Sequence, residues 1–210
     1  MLYDTGKRIL DIIGSFIGII LFSPLIIFSA IWIRIVSPKG PVFADIPPRS
    51  GKNGKEFKMY KLRSMIPNAQ RWLDDHPDWK KKYIENSYKL DPDPRLIKGA
   101  KFLRKSSIDE MPQVFNILKG EMSIVGPRAY FPFELKEQAQ RHPETIKFIN
   151  EVIKIKPGLT GPWQVGGRSN IGFEKRIEMD ANYAKRRSLL YDISIIIKTP
   201  FAVLSQKGSL

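Results

Sequence analysis

From Ile12 to Ile33 the chain passes 22 residues without a charged side chain. As a straight helix this run would span roughly 33 Å, against a bilayer hydrocarbon core of about 30 Å. It must either enter a membrane or be covered by a large core, and 210 residues supply one sizeable core plus an appendage. Ser23-Pro24 interrupts the run at its centre. Pro24 has no amide hydrogen for the Ile20 carbonyl and its ring crowds that carbonyl, so a kink is expected, with the Ser23 hydroxyl able to serve the freed group. Two readings follow: one bent transmembrane span, or a helix–break–helix hairpin that enters and leaves by the same face. Lys7 and Arg8 precede the run, while Arg34, Lys39, Arg49 and Lys52 follow it. The positive-inside rule places the heavier C-terminal flank in the cytoplasm and leaves the N-terminus contested, so the two readings stay balanced. A signal peptide is disfavoured, because the run outlasts a typical h-region and no small-x-small cleavage site follows.

The net charge is +14 and the pI about 9.9, which implies a polyanionic partner. Nucleic acid, an anionic membrane surface and phosphorylated small molecules all qualify. The adjacent apolar run favours anionic membrane lipids, since each juxtamembrane Lys or Arg adds about 1 kcal/mol near such a surface; nucleic acid is not expected. The chain has no cysteine, which excludes disulfides, thiol nucleophiles and cysteine-based metal centres. Its two histidines, His76 and His142, both precede proline. Scattered imidazoles of this kind do not read as a metal site.

Residues 41–65 contain short apolar or alternating runs around Gly51-Lys-Asn-Gly54 and predict a hairpin whose first strand, beside Pro47-Pro48, lies at an edge. Residues 68–90 predict helix with a break at His76-Pro77, and Trp72, Trp79, Tyr83 and Tyr88 among lysines suit an interfacial location. Core-packed surface helices explain these aromatics equally well. Asp91 to Arg95 reads as an extended linker. Two short helices follow, the second starting near Asp109 and ending at Gly120, a natural C-terminal cap. Further helices are expected around Phe133–Gln140, Phe173–Arg187 and Asp192–Leu204, the last apolar enough for a membrane or a core. The expected class is α+β and mostly helical: a membrane helix hairpin over 1–40, and a compact interfacial domain with a small β-hairpin over 41–210.

Asp109-Glu110 in "SSIDEMPQVFN" is the most suggestive acidic pair. Ser107 to Glu110 also fits a capping box, a purely structural role. Pro112 in the first turn, however, places Asp109 at a helix start, where exposed amides attract phosphate. Two carboxylates there would repel a phosphate unless a cation intervened, and magnesium suits oxygen ligands, so Asp109 and Glu110 are its candidate ligands. Basic residues sit in neighbouring turns: Lys61 and Arg63 in "YKLRSM", Arg104 in "FLRKSS", Arg128 in "SIVGPR" and Arg168 in "QVGGRS". Arginine forks match phosphate oxygens. Each alone is more simply a surface charge, so their convergence is an expectation.

The run "RKSSIDEMPQVFNILKGEMSIVGPR", with "YKLRSM" before it and "KPGLTGPWQVGGRS" after it, closely resembles the bacterial sugar transferases, monotopic phosphoglycosyl transferases that initiate glycan assembly on polyprenol phosphate. The likeness covers nearly the whole chain, including the Ser-Pro break. Departures are local: "ADIPPRSGKNGKEF" is proline-rich where relatives carry a more regular hairpin, and residues 66–90 match no fixed pattern.

The resemblance implies that the Ser-Pro break turns the membrane helix back, keeping the site on the cytoplasmic face of the bacterial inner membrane. It implies two-step covalent catalysis. Asp109 attacks the sugar-bearing phosphorus of a UDP-sugar and releases UMP; polyprenol (undecaprenyl) phosphate then takes the phosphosugar, the first membrane step of exopolysaccharide assembly. Magnesium offsets diphosphate charge, Glu110 binds it or positions Asp109, and Arg104 and Arg63 lead the basic clamps. Trp163 in "GPWQVGG" resembles relatives that transfer neutral hexose phosphates. A homodimer is a candidate assembly, although the sequence does not set the oligomeric state. A different class, a membrane-anchored basic adaptor without catalysis, would show salt-dependent polyanion binding and no need of a carboxylate.

Overall fold

The computed structural model describes residues 2–85, 90–167 and 171–204. Arg168 and Tyr88 lie outside the described residues. The chain is mostly helical, with a long apolar N-terminal helix and two small two-stranded sheets.

Helix α1 runs over Leu2–Val36 as one element of 35 residues. The expected separation into two helices is therefore corrected: helix continues through Ser23-Pro24. The reason is local, since Ser23 Oγ donates to the Ile20 carbonyl at 3.3 Å, the very acceptor that the missing Pro24 amide leaves open. Polar and small residues of α1, including Asp11, Ser15, Gly18 and Ser29, turn inward and are buried, while Ile9, Ile13, Phe16, Ile17, Ile20 and Leu21 are exposed. This inverts the pattern of a helix with an apolar stripe facing a core.

Both ends of α1 dock on the remaining chain. Near its start, Arg8 donates to the carbonyls of Ile117 and Leu118, each at 2.8 Å, and Asp11 Oδ1 accepts from Ser123 Oγ and the Ile124 amide. Near its end, Ile33 is fully buried with Leu62, Ile97, Ala100, Leu103 and Ile108, and Trp32 Nε1 donates to the Lys98 carbonyl. Between Gly18 and Ser29 no residue is buried.

Strands β1 (Arg49–Ser50) and β2 (Glu56–Phe57) pair antiparallel across the Gly51–Gly54 turn, as expected. Helices α2 (Ala69–Asp74) and α3 (Pro77–Glu85) break at His76-Pro77, where proline starts the second helix. After α4 (Ala100–Lys105) a 3₁₀ turn over Ile108–Gln113 leads into α5 (Val114–Lys119), which ends at Gly120 with φ 84°. That left-handed backbone favours glycine as the cap.

Strand β3 (Ser123–Val125) pairs in parallel with β4 (Gly158–Thr160), a second sheet not anticipated from the sequence. Helices α6 (Pro132–Arg141) and α7 (Ile146–Val152) lie between the two strands; α8 (Pro162–Gly166), α9 (Phe173–Arg186) and α10 (Leu189–Leu204) follow. The parallel pair continues into a glycine contact. A Cβ built on Gly161 would lie 2.1 Å from the Gly126 carbonyl oxygen, and one on Gly158 would lie 2.1 Å from the Gly126 nitrogen. Only backbone without side chains brings "SIVGPR" and "KPGLTGPW" this close. A core of Tyr130, Leu135, Ile149, Val152, Ile177 and Ala181 joins α6, α7 and α9 behind them.

Candidate active site

The segment "YKLRSM" runs extended through the middle of the domain. The Ala44 amide donates to the Lys61 carbonyl, the Arg63 amide to the Val42 carbonyl, and the Ile97 amide to the Ser64 carbonyl. On the other side the Leu62 amide donates to the Asp109 carbonyl at 2.8 Å. This bond carries the 3₁₀ turn to Lys61.

Lys61 Nζ lies 3.2 Å from Asp109 Oδ2 and 2.9 Å from Glu110 Oε1. Asp109 is buried, its side chain 2 % exposed, whereas that of Glu110 is 41 % exposed. Burial raises the Asp109 pKa above the usual aspartate value; Lys61 opposes this and Glu110 adds to it. Glu110 moves the other way, because Lys61 favours its charge more than burial disfavours it, with Arg128 and Arg49 contributing. Burial works against the Lys61 ammonium, yet the two carboxylates outweigh it and raise its pKa. The result is a basic, shielded Asp109 beside an ionised, accessible Glu110.

The capping-box role expected for Ser107 and Glu110 is not seen. Ser107 adopts φ 58° and makes no side-chain cap, and the Glu110 carboxylate is directed to Lys61 instead. Asp109 starts a 3₁₀ turn, not an α-helix, and its Oδ2 is buried without a hydrogen bond among the described residues.

Arg104 joins this centre: its Nε donates to Ser64 Oγ at 3.0 Å, and its charge acts on both Asp109 and Lys61. Arg63 does not join it. Its guanidinium donates to the Ser37 carbonyl and hydroxyl and to the Pro41 and Met65 carbonyls, and the side chain is buried. The clamp expected of Arg63 is thus corrected. All three guanidinium nitrogens are committed to tying the end of α1 to the central segment.

Arg128 is held by its backbone. Its amide donates to Asp180 Oδ2 at 2.9 Å, and Tyr130 Oη donates to the same oxygen at 3.0 Å. Its guanidinium stands 5.2 Å from the centroid of the Trp163 ring, and that of Arg176 stands 5.3 Å from it. Among the described residues, Arg128 Nε, Arg176 Nε, Trp163 Nε1 and Asp180 Oδ1 are buried without a hydrogen-bond partner. Burial and the Arg128 charge lower the Arg176 pKa. Burial also pushes Asp180 up to about 7 despite its donors.

Arg49 is a further basic residue at this edge. It is buried, donates to the Ala129 carbonyl at 2.9 Å, and stacks 3.3 Å from the Phe131 ring centroid; burial and Arg128 lower its pKa to about 10. Arg49, Arg176 and Asp180 were not anticipated as site residues. A "PPR" loop and a helical "KRIEMD" carry no local signal, and the residues become significant only through long-range contact.

His142 belongs to a separate exposed cluster, with Nδ1 2.5 Å from Glu174 Oε1 and 3.6 Å from Glu144 Oε1. No local pattern points to it, because Glu174 arrives from α9.

The model of the bacterial sugar transferase family matches residues 2–206. An undecaprenyl-phosphate galactose phosphotransferase of Salmonella typhimurium is 37 % identical over 211 residues, covering 97 % of this chain and 41 % of that protein. A UDP-glucose:undecaprenyl-phosphate glucose-1-phosphate transferase of Xanthomonas campestris is 39 % identical over 213 residues, covering 98 % of this chain and 40 % of that one. The exopolysaccharide production protein ExoY of Sinorhizobium fredii is 34 % identical over 212 residues, covering 97 % and 88 %. The chain spans about two fifths of the length of several of these relatives, and most of the third. With the family model matched across almost its full length, this chain belongs to the bacterial sugar transferase family.

Proposed function

We propose that this protein moves a sugar 1-phosphate from a UDP-sugar to polyprenol phosphate, with Asp109 as a covalent nucleophile. The observation that carries this reading is the paired environment of Asp109 and Glu110 around Lys61. One carboxylate is shielded and more basic than usual, the other ionised and accessible. Environments that push neighbouring carboxylates apart divide their roles. In the first step an Asp109 oxygen bonds to the sugar-bearing phosphorus. The bond from that phosphorus to the bridging oxygen breaks, its electron pair stays on the bridging oxygen, and UMP leaves. In the second step a phosphate oxygen of polyprenol phosphate attacks the same phosphorus. The acyl phosphate bond breaks, and the Asp109 carboxylate returns.

Lys61 opposes the upward shift that burial imposes on Asp109 and faces the incoming diphosphate with positive charge. Arg104 and Arg128 reinforce that field from either side. The buried, unpartnered donors of Arg128, Arg176 and Trp163 are groups a bound phosphosugar can satisfy. The donor set also fits magnesium: Glu110 offers an accessible oxygen, and Asp109 Oδ2 faces the Lys61 ammonium without a hydrogen bond, both hard ligands. When bound there, magnesium would neutralise diphosphate charge. The galactose and glucose named for two relatives, together with Trp163, make UDP-galactose and UDP-glucose the donors to test first.

The same reading places α1 as a re-entrant segment, with the site on the cytoplasmic face of the inner membrane. Its support is that both ends of α1 rest on one domain while no residue between Gly18 and Ser29, the stretch that holds Ser23-Pro24, is fully buried. A helix crossing a core of about 30 Å could not keep both ends on a domain held at one face. The roughly ten residues of that stretch reach about 15 Å along a helix, half that thickness.

The test is UMP release from each UDP-sugar with undecaprenyl phosphate as acceptor. Asp109→Asn should lower it by orders of magnitude while leaving the fold intact, and near-normal turnover would defeat the covalent step. The adaptor alternative predicts no UMP release from any donor and no dependence on Asp109.

A further inference from the structure

A cavity of about 170 Å³ lies where the first turns of α1 approach β3, the residues after α7 and the end of α9. None of Asp109, Glu110 or Lys61 lines it. Five cations do: Lys7, Arg8, Lys52, Lys156 and Arg187, against two carboxylates, Asp4 and Asp11.

Most of these charges are already engaged. Lys7 pairs with buried Asp192 at 2.9 Å, and Arg8 holds the last carbonyls of α5. Asp11 accepts from Ser123 and Ile124, and Arg187 lies 4.0 Å from Asp4. Among the described residues, the side-chain ammonium groups of Lys52 and Lys156 have no hydrogen bond or ion pair within 4.0 Å. Cations therefore outnumber carboxylates here: five line the cavity, against Asp4, Asp11 and the Asp192 that Lys7 pairs with.

Its surroundings are apolar on the outside. The first turns of α1 and α10 touch, since a Cβ on Gly6 would lie 2.9 Å from Leu189 Cδ1. From this junction two exposed stripes run along the helices: Ile9 and Ile13 on α1, and Leu190, Ile193 and Ile197 on α10. A basic cavity at the head of two lipid-facing stripes has the layout of an amphiphile site, with charge at the interface and hydrocarbon beyond it.

We propose that this cavity binds the phosphate of a membrane lipid through Lys52 and Lys156, with the lipid chains lying along the exposed stripes of α1 and α10. Either an anionic phospholipid or a polyprenyl phosphate supplies that chemistry. Burial and the charges of Arg8, Lys52 and Lys7 disfavour the Lys156 ammonium more than Asp11 favours it, and a bound phosphate relieves that crowding. The proposal rests on α1 lying in the membrane, and not on the transfer chemistry.

The test uses the full chain in detergent and native mass spectrometry of retained lipid, with phosphatidylglycerol, phosphatidylcholine, undecaprenyl phosphate and inorganic phosphate as separate probes. No UDP-sugar is present, so the outcome is independent of catalysis. The parent protein should retain phosphatidylglycerol or undecaprenyl phosphate at least fivefold over phosphatidylcholine, and the preferred probe identifies the source. Lys52→Gln/Lys156→Gln should lose that preference, while Lys81→Gln/Lys136→Gln, an equal charge change at exposed positions, should keep it. An unchanged preference in the cavity variant, an equal loss in the control, or equal competition by inorganic phosphate would each overturn the proposal.

Discussion

Lys61 serves two carboxylates at once, and its removal should be read through pH. Lys61 opposes the upward shift of Asp109 and is the chief cause of the downward shift of Glu110. Lys61→Met should therefore raise both pKa values. Since the nucleophile must be ionised, the acid limb of the UMP-release profile should move to higher pH, beyond any loss of rate at its plateau. An acid limb that stays in place would show that Lys61 does not govern Asp109. Asp180 offers a second titration, in stability. Its folded pKa is about 7 against an ordinary value of 3.8, so the folded state retains a proton that the unfolded chain releases. Its stabilising contribution is complete below about pH 4 and is lost as pH rises through about 7. Asp180→Asn mimics the protonated form. The difference in unfolding free energy between variant and parent should grow in the variant's favour across that window, as followed by chemical unfolding in detergent; a constant difference would refute the assignment.

Helix α1 turns its polar and small residues inward and its large apolar residues outward, the arrangement of a helix whose outer solvent is lipid. The proposed re-entrant topology rests on docking at both ends more than on the Ser-Pro pair. Arg8, Asp11, Trp32 and Ile33 each make specific contacts with the domain. Single cysteines at Leu2 and at Lys39, both exposed, test this in intact cells, and the native chain has no cysteine to confuse the labelling. Both should resist an impermeant thiol reagent until the inner membrane is opened. Labelling of the Leu2 cysteine from outside would make α1 a bitopic span.

On the scale of the molecule, one buried carboxylate joins the two ends of the chain. Asp192, at the start of α10, is fully buried, receives Tyr183 Oη at 2.6 Å and Tyr3 Oη at 3.2 Å, and pairs with Lys7. Tyr183 also donates to the Val125 carbonyl, so this node reaches β3. Removing one partner of a buried pair leaves the other charge uncompensated. Asp192→Ala should cost about 3–5 kcal/mol, seen as a lower unfolding midpoint in detergent, with Asp192→Asn intermediate. A change within about 0.5 kcal/mol, typical of surface substitutions, would show that the ends are held by other contacts.

Much of this was legible from local pattern. The Ser23 hydroxyl's bond to the carbonyl that Pro24 leaves open, the hairpin at Gly51–Gly54, the break at His76-Pro77 and the stop at Gly120 all depend on residues within a turn of one another, where backbone sterics act directly. Asp109 and Glu110 stood out for the same reason, as adjacent carboxylates beside a proline. Tertiary structure alone decided which bases serve them. Lys61 and Arg63 are two residues apart, yet one meets the carboxylates and the other is spent on Ser37 and Pro41. Arg176 and Asp180 reach Trp163 and Arg128 only because three glycines let two distant loops touch. Charge placement depends on contacts between residues far apart in the chain, and no local periodicity encodes those contacts.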